Sequence, residues 1–513
     1  MKEVNDRIHD SIKLSPEICA IVDTVVFQRL QQVKQLGIAY QVYPGSRHTR
    51  YDHCLGVYHL AGKLCRSLQL NQPELGISDR DVLCVEIAAL CHDLGHGPFS
   101  HFFDGVFMRS VRPAKNWTHE KGSVLVWQHL LSSYPAVSDK LRTRLENVDF
   151  QFIIELIAGP VELASPSQWE YKGRGREKSF LYDIVANRHD GFDVDKYDYM
   201  LRDCDATNVS SSGFNRFAMH RIVESARVRS LNGTLRICYP LTVKQHLMSV
   251  AKTRFNLHSV LYRHKTTIAI EAKLLQIFRL AEEHFRLPDD DYMQNGKEYS
   301  LSESVDNVGV FASQLTDCVL HTIAHDARKN PKLKPALALI KELQERQFSK
   351  SVGRASIRYC PDCSEDQLLE QILQYLPSDT KPIAAEDVAI SVSKIHHGMM
   401  EANPMLLVPF FDQKRNDAEA FLLRPEDLRG QMPEDLIVLD VHLHSSSRSA
   451  AVLQALSTCF RQWKSSFCVR RGSLVAPSDH QVTPSPCPRD YSPRAKAARR
   501  VLENCALSND SSH

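Results

Sequence analysis

A chain of 513 residues, 43% hydrophobic and 24% charged, has the composition of a folded protein and excludes a disordered or fibrous one. Its 63 basic against 61 acidic residues leave a formal charge of +2, so no global electrostatic footprint for nucleic acid exists and any phosphate-binding surface must be local. No apolar run reaches 18 residues, which excludes a membrane-spanning helix and a membrane partner. The charged opening at residues 1–10 and fourteen cysteines point to a reducing compartment, nucleus or cytoplasm, without disulfides.

From about residue 15 to 135, apolar residues recur at helical spacing, as in Val82, Leu83, Val85, Ile87, Ala88, Leu90 and Cys91. Breaks at Pro44-Gly45, Asn71-Gln72-Pro73 and Gly95-His96-Gly97-Pro98 predict helix ends. Residues 165–178 read as an exposed loop, with the basic stretch Lys172-Gly173-Arg174-Gly175-Arg176 solvated. Beyond Pro288, helical segments give way to β-rich runs at 405–411 and 436–443. Cys360 and Cys363 form a lone CxxC, better explained as loop cysteines than as a zinc site. The Ser- and Pro-rich tail, with proline-directed phosphorylation candidates at Thr483, Ser485 and Ser492, buries too little apolar surface to fold.

His92-Asp93 ends an apolar helix and His96 follows at i+4, so three polar groups converge at one helix end. An imidazole beside a carboxylate can ligate a divalent cation. An isolated His-Asp pair is more often a surface or capping pair, as we read His189-Asp190. Here, however, residues 48–119 hold seven of the 23 histidines, where about three would fall by chance. Further ligands are available from His53 and from the carboxylate cluster Asp193, Asp195 and Asp198, among which spacing does not choose.

Arg50-Tyr51-Asp52-His53, the stretch Cys91-His92-Asp93-Leu94-Gly95-His96-Gly97-Pro98-Phe99-Ser100-His101 and Asp195-Lys196-Tyr197-Asp198-Tyr199 resemble the HD-domain superfamily, and most closely its SAM-and-HD-domain deoxynucleoside triphosphate triphosphohydrolases. The resemblance runs from Lys2 to about Pro477. It implies a mostly α fold: an HD-domain helical catalytic core with an N-terminal regulatory-site segment over 1–290, a smaller α+β C-terminal lobe over 291–476, and a disordered tail over 477–513. Because Lys2-Glu3-Val4-Asn5-Asp6 already matches the start of the catalytic core, the family's SAM domain is expected to be absent.

The resemblance implies that His53, His92, Asp93 and Asp195 bind a divalent transition metal (Zn, Fe or Mn), with Mg accompanying the nucleotide triphosphates. Such a metal would supply Lewis-acid chemistry at the α-phosphorus. His101 resembles the family's general acid, oriented by Asp104, and His96 and His119 complete the polar pocket. Arg50, Lys196, Arg254 and His258 match phosphate contacts. Tyr199 and Asp203 match deoxyribose contacts, with Gln35 and Leu36 placing the sugar, and Tyr262 matches the ring that leaves no room for a 2′-hydroxyl.

Lys2, Asn5, Asp23, Gln28, Val42, Tyr43, Arg221, His264 and Lys265 match the family's activator site for GTP and dNTP. That match is incomplete. Gln31 stands where an arginine is expected, and Pro240, Thr242, His246 and Val260 replace mostly basic or amide residues. A homo-oligomer, dimer or tetramer, with weakened nucleotide activation is therefore expected. Two alternatives remain at this point: an HD phosphodiesterase or nucleotidase on other nucleotides, and a nucleotide-binding scaffold with weak catalysis that holds single-stranded nucleic acid.

Overall fold

The computed structural model describes residues 2–159, 169–289, 296–357, 364–376, 383, 388–399, 402–414, 419–428, 436–443 and 450–470. The CxxC at 360–363, the expected tail with its phosphorylation candidates, and residues 165–168 of the expected loop lie outside these residues.

The chain opens with an antiparallel hairpin, Lys2–Asp6 on Asp10–Leu14. Helix Arg50–Asn71 starts at a capping box in which Asp52 Oδ2 accepts from Thr49 N at 2.8 Å. Helix Asp79–Cys91 starts the same way, Ser78 and Asp81 satisfying each other's backbone N–H groups. Every residue from Asp81 to Cys91 is buried, Glu86 included against Arg66, so the helix carries apolar residues on all its faces. It packs on Arg50–Asn71 on one side and on Asn147–Ala158 on another, and Val194–Thr207 packs on Arg50–Asn71. These helices frame the site.

The expected mostly α fold with smaller sheets holds. Three strands, Lys350–Ile357, Leu436–Leu443 and Val388–Ile395, form an antiparallel sheet with Leu436–Leu443 in the centre. Helices Glu365–Leu373 and Ala450–Arg470 pack against it around a small second core that includes Leu439, Leu456 and Trp463. Residues 298–343 and 404–428 instead contribute to the large first core, through Phe311, Ile340, Met405 and Phe410 among others. The segment expected as one lobe from 291 thus feeds two cores.

Two local readings need correction. In the β-rich run at 405–411, only Pro409–Phe411 is strand; Asn403 caps a turn of 3-10 helix at Pro404–Leu406, and the strand pairs in parallel with Thr234–Pro240. Nor is the basic stretch wholly solvated: the Arg174 guanidinium reaches Asp81 and Asp149, each at 2.6 Å, and lies over the Phe152 ring. Two buried carboxylates require a counter-charge, and a glycine-flanked arginine supplies it. His189-Asp190 does lie in a loop, yet Asp190 is buried, accepting from Asn187 Nδ2 and Phe192 N. Nine of the described cysteines are free thiols, and no described helix is long and apolar enough to cross a membrane.

Candidate active site

Three helices converge on one site. His53 comes from the first turn of Arg50–Asn71, and His92 and Asp93 from the end of Asp79–Cys91. The Val194–Thr207 helix brings Asp195. His53 Nε2 stands 3.0 Å from Asp195 Oδ1 and 3.6 Å from Asp93 Oδ2, while His92 Nε2 is 3.5 Å from Asp93 Oδ1 and 3.6 Å from Asp195 Oδ1. His92 Nδ1–H donates to Ala89 O at 2.8 Å, which directs Nε2 inward. That nitrogen is buried without a hydrogen bond, as a ligand atom facing a cation site would be. A mixed imidazole and carboxylate set suits a divalent transition metal, so the residues fit the group.

The electrostatics follow from burial opposed by close charges. Burial would depress His53, but its hydrogen bonds to the Asp195 and Asp198 carboxylates outweigh it and raise the imidazole to about 9. Burial would raise Asp93, yet Arg50, His92 and His96 hold it well below the usual carboxylate range. The same contest keeps Asp195 ionised beside His53 and His92.

The three carboxylates of the 193–198 cluster separate by role. Asp193 is the helix N-cap, accepting from Lys196 N at 3.0 Å and from Lys196 Nζ at 2.6 Å. Asp195 faces the histidines. Asp198 points the other way and holds His53 Nδ1 at 2.7 Å.

Beside this set lies a second cluster, His96, His101, Asp104 and His119. The His96 and His119 rings stack at 4.1 Å, and His101 meets both edge-on. One expectation changes here: Asp104 accepts from His119 Nδ1 at 2.9 Å, whereas His101 Nδ1 stands off at 3.7 Å with its side chain 65% exposed. The cause is local geometry, because Asp104 lies on a π-helical turn, Phe103–Met108, and not on one α-helical face with His101. Burial would lower His119, but Glu120 and Asp104 raise it to about 9, while burial, Arg50 and His119 drive His96 well below its ordinary value.

Several positioning groups give no signal in sequence. Arg29 donates to the carbonyls of Leu94, His96 and Leu315, pinning the loop after His92. Phe99 and Ser100 adopt left-handed backbone conformations there, a strain concentrated at a working site. Ser123 Oγ donates to His92 O and accepts from Gly95 N. At Gly95 an added Cβ would sit 2.2 Å from His119 O and from Ser123 N. Gly95→Ala should therefore push the His119 helix away, lower thermal stability and cut turnover together; wild-type melting and rate would refute this close approach.

The expected substrate contacts are placed as follows. Arg50 is buried and committed, donating to Asp93 Oδ2 at 2.7 Å, Ser100 Oγ at 3.0 Å and Gln35 O at 3.2 Å. Lys196 is engaged by Asp193. Arg254 NH1 donates to His396 O at 2.6 Å, and its Nε is buried without a partner. His258 meets the Tyr262 ring edge-on at 4.8 Å; burial and Arg254 drive it well below its ordinary value. Asp203, expected at the 3′-hydroxyl, accepts from Tyr262 OH and from His48 Nε2, each at 2.6 Å. His48 was visible in the histidine-rich stretch, but nothing marked its partner 155 residues away. Tyr199 lies 6.4 Å ring to ring from both His53 and Tyr262. Gln35 is buried with Oε1 unpartnered, and Leu36 is partly buried beside it.

Two pairs of the expected activator residues touch, Lys2 with Asp23 and Tyr43 with His264. Lys2 Nζ meets Asp23 Oδ1 at 2.8 Å, and Gln28 Nε2 donates to Val22 O. Gln31 donates to Gln28 Oε1 at 2.6 Å, so it turns onto its own helix and not toward Asp23. Asn5 pairs with Ser11 across the hairpin. Tyr43 OH donates to Val260 O, and its ring meets His264; Val42 is partly buried, and Arg221 and Lys265 are exposed on other helices.

A helical frame presenting a His, a His-Asp pair and a distant Asp to one cation site defines an HD-domain protein, and the HD domain family matches residues 50–139. The chain is 36% identical to deoxynucleoside triphosphate triphosphohydrolase SAMHD1 of Danio rerio over 94% of its own length and 77% of the relative. It is 37% identical to the Homo sapiens protein of that name, over 94% and 75%. The Dictyostelium discoideum SAMHD1 homolog is 28% identical over 90% and 80%. The chain belongs to the SAMHD1 family of HD-domain deoxynucleoside triphosphate triphosphohydrolases.

Proposed function

We propose that the chain hydrolyses a dNTP and water to deoxynucleoside and inorganic triphosphate. The observation that carries this is the complete His53, His92, Asp93 and Asp195 set with Nε2 of His92 buried and unpartnered. A divalent cation held there supplies Lewis-acid polarisation for attack of water on the α-phosphorus. Asp93 is fixed for that task by Arg50. The exposed His101 delivers the proton to the departing 5′-oxygen, and His119, protonated below about 9, adds positive charge next to it. Arg254 Nε and Lys196 are the cations for the triphosphate tail, and Tyr262 closes the sugar pocket against Asp203.

The purified chain should convert dGTP and dCTP, with Mn or Mg, to deoxynucleoside plus intact triphosphate by chromatography. Release of pyrophosphate or monophosphate would point to a different HD phosphohydrolase; no turnover with a loaded site would favour a nucleotide-binding scaffold. We further propose that the enzyme lowers dNTP pools in nucleus or cytoplasm, and so limits viral reverse transcription, as a homo-oligomer with weak GTP dependence. The turned-in Gln31 and uncharged Pro240, Thr242 and Val260 support that weakness. GTP should change the rate by less than about tenfold; a strong saturable requirement with tetramer formation by light scattering would refute it.

A further inference from the structure

His53 is wholly buried, and its two ring nitrogens have different duties: Nε2 faces Asp195 and Asp93, while Nδ1 meets Asp198 Oδ2 at 2.7 Å. Asp198 is itself wholly buried and saturated. Arg202 Nε donates to Oδ2 at 2.9 Å, Arg202 NH2 to Oδ1 at 2.8 Å, and His9 Nε2 lies 2.7 Å from Oδ1. Arg202 continues to Asp6, with NH1 at 2.8 Å from Oδ2. Asp6 Oδ1 in turn accepts from the backbone N–H groups of Ile8 and His9, which shapes the turn of the N-terminal hairpin. One unbroken hydrogen-bonded path therefore runs from that turn to a metal ligand.

The space for this path is built into the helix opposite. An added Cβ at Gly56 would lie 1.9 Å from Asp198 Oδ1 and 2.5 Å from Arg202 NH2, so only glycine lets the carboxylate and guanidinium pass between the helices. A lone buried carboxylate is strongly disfavoured; here Arg202 balances it, and Asp6 needs the same arginine. Removing the hairpin's share leaves Arg202 with surplus charge and Asp198 with one donor fewer. The carboxylate would then be freer to rotate, and the imidazole with it.

We infer that Asp198 is a positioning residue that holds His53 with Nδ1 protonated and Nε2 directed at the cation, and that Asp6 and His9 complete this hold, so docking of the hairpin sets cation affinity. The inference rests on the metal-site reading above and extends it to a segment that touches no substrate. Partners of a ligating histidine of this kind contribute roughly 10- to 100-fold in metal affinity.

The test uses the full chain and Mn(II) alone, with free Mn read by electron paramagnetic resonance and folding by thermal melts of the metal-free protein. Asp198→Asn should weaken Mn binding about 10- to 100-fold, and His9→Gln and Asp6→Asn should weaken it in the same direction by several-fold. Gly56→Ala, which displaces the same carboxylate, should follow Asp198→Asn. Melting changes with Mn affinity held within twofold would overturn the inference, since a merely structural network moves only stability. Should Asp198→Asn fail to fold, His9→Gln decides alone, because it alters one contact of Asp198 and leaves the Asp198–Arg202 pair in place. The readout needs no substrate, so it stands even if the wild-type chain turns over no dNTP.

Discussion

His92→Ala should abolish dNTP turnover while leaving the fold intact, whereas Asp93→Ala should lose turnover and stability together. The difference lies in what each side chain holds besides the cation. His92 has one protein hydrogen bond, to a carbonyl of its own helix, so its removal strands nothing. The cation contributes several kcal/mol to the transition state; at 1.36 kcal/mol per tenfold, about 4 kcal/mol corresponds to a rate loss of about 1,000-fold. Asp93 also neutralises Arg50, which is 4% exposed, and truncating it leaves a buried guanidinium with only Ser100 and a carbonyl. Breaking a buried pair from one side costs about 3–5 kcal/mol. Product assays beside denaturant melts separate the two variants. Wild-type turnover in His92→Ala would remove the metal reading, and an unshifted melt in Asp93→Ala would remove the structural role of the pair.

Tyr262→Ala should relax selection against ribonucleotides by about 10- to 100-fold, the range over which a pocket wall rejects an added hydroxyl. Tyr262→Phe should retain that selection and yet slow dNTP turnover. The ring is held in place by a hydrogen bond from its hydroxyl to Asp203 Oδ2, and His48 occupies the other oxygen. Phe keeps the wall and frees an Asp203 lone pair; Ala removes both. Comparing kcat/KM for dGTP and GTP as substrates in the two variants assigns each function. Equal selectivity in wild type and Tyr262→Ala would show that the ring does not read the 2′ position.

Much of this was legible along the chain because the signals are local. A buried helix announced itself through apolar residues at helical spacing, and a His-Asp pair at its end, amid an excess of histidines, marked a site. The strand at 436–443 was equally readable, but in the run at 405–411 only Pro409–Phe411 is strand, and its partner lay in the first half of the chain. Glycine spacing could not show that Arg174 turns inward, since its carboxylates stand 25 and 93 residues away.

Composition and helical periodicity determined by themselves that this is a mostly helical protein, and the residues from Cys91 to His101 marked it by resemblance as HD-type, because each of these signals depends only on neighbours one or two turns apart. The tertiary structure decided which groups share a charge. It gave Asp193 to the helix cap, Asp195 to the histidines and Asp198 to His53 Nδ1; it tied Arg50 to Asp93, Asp104 to His119, and Asp203 to His48 and Tyr262. Those pairings span up to 155 residues. They are selected when the core closes and each buried charge must find its partner, a condition that no local stretch of sequence carries.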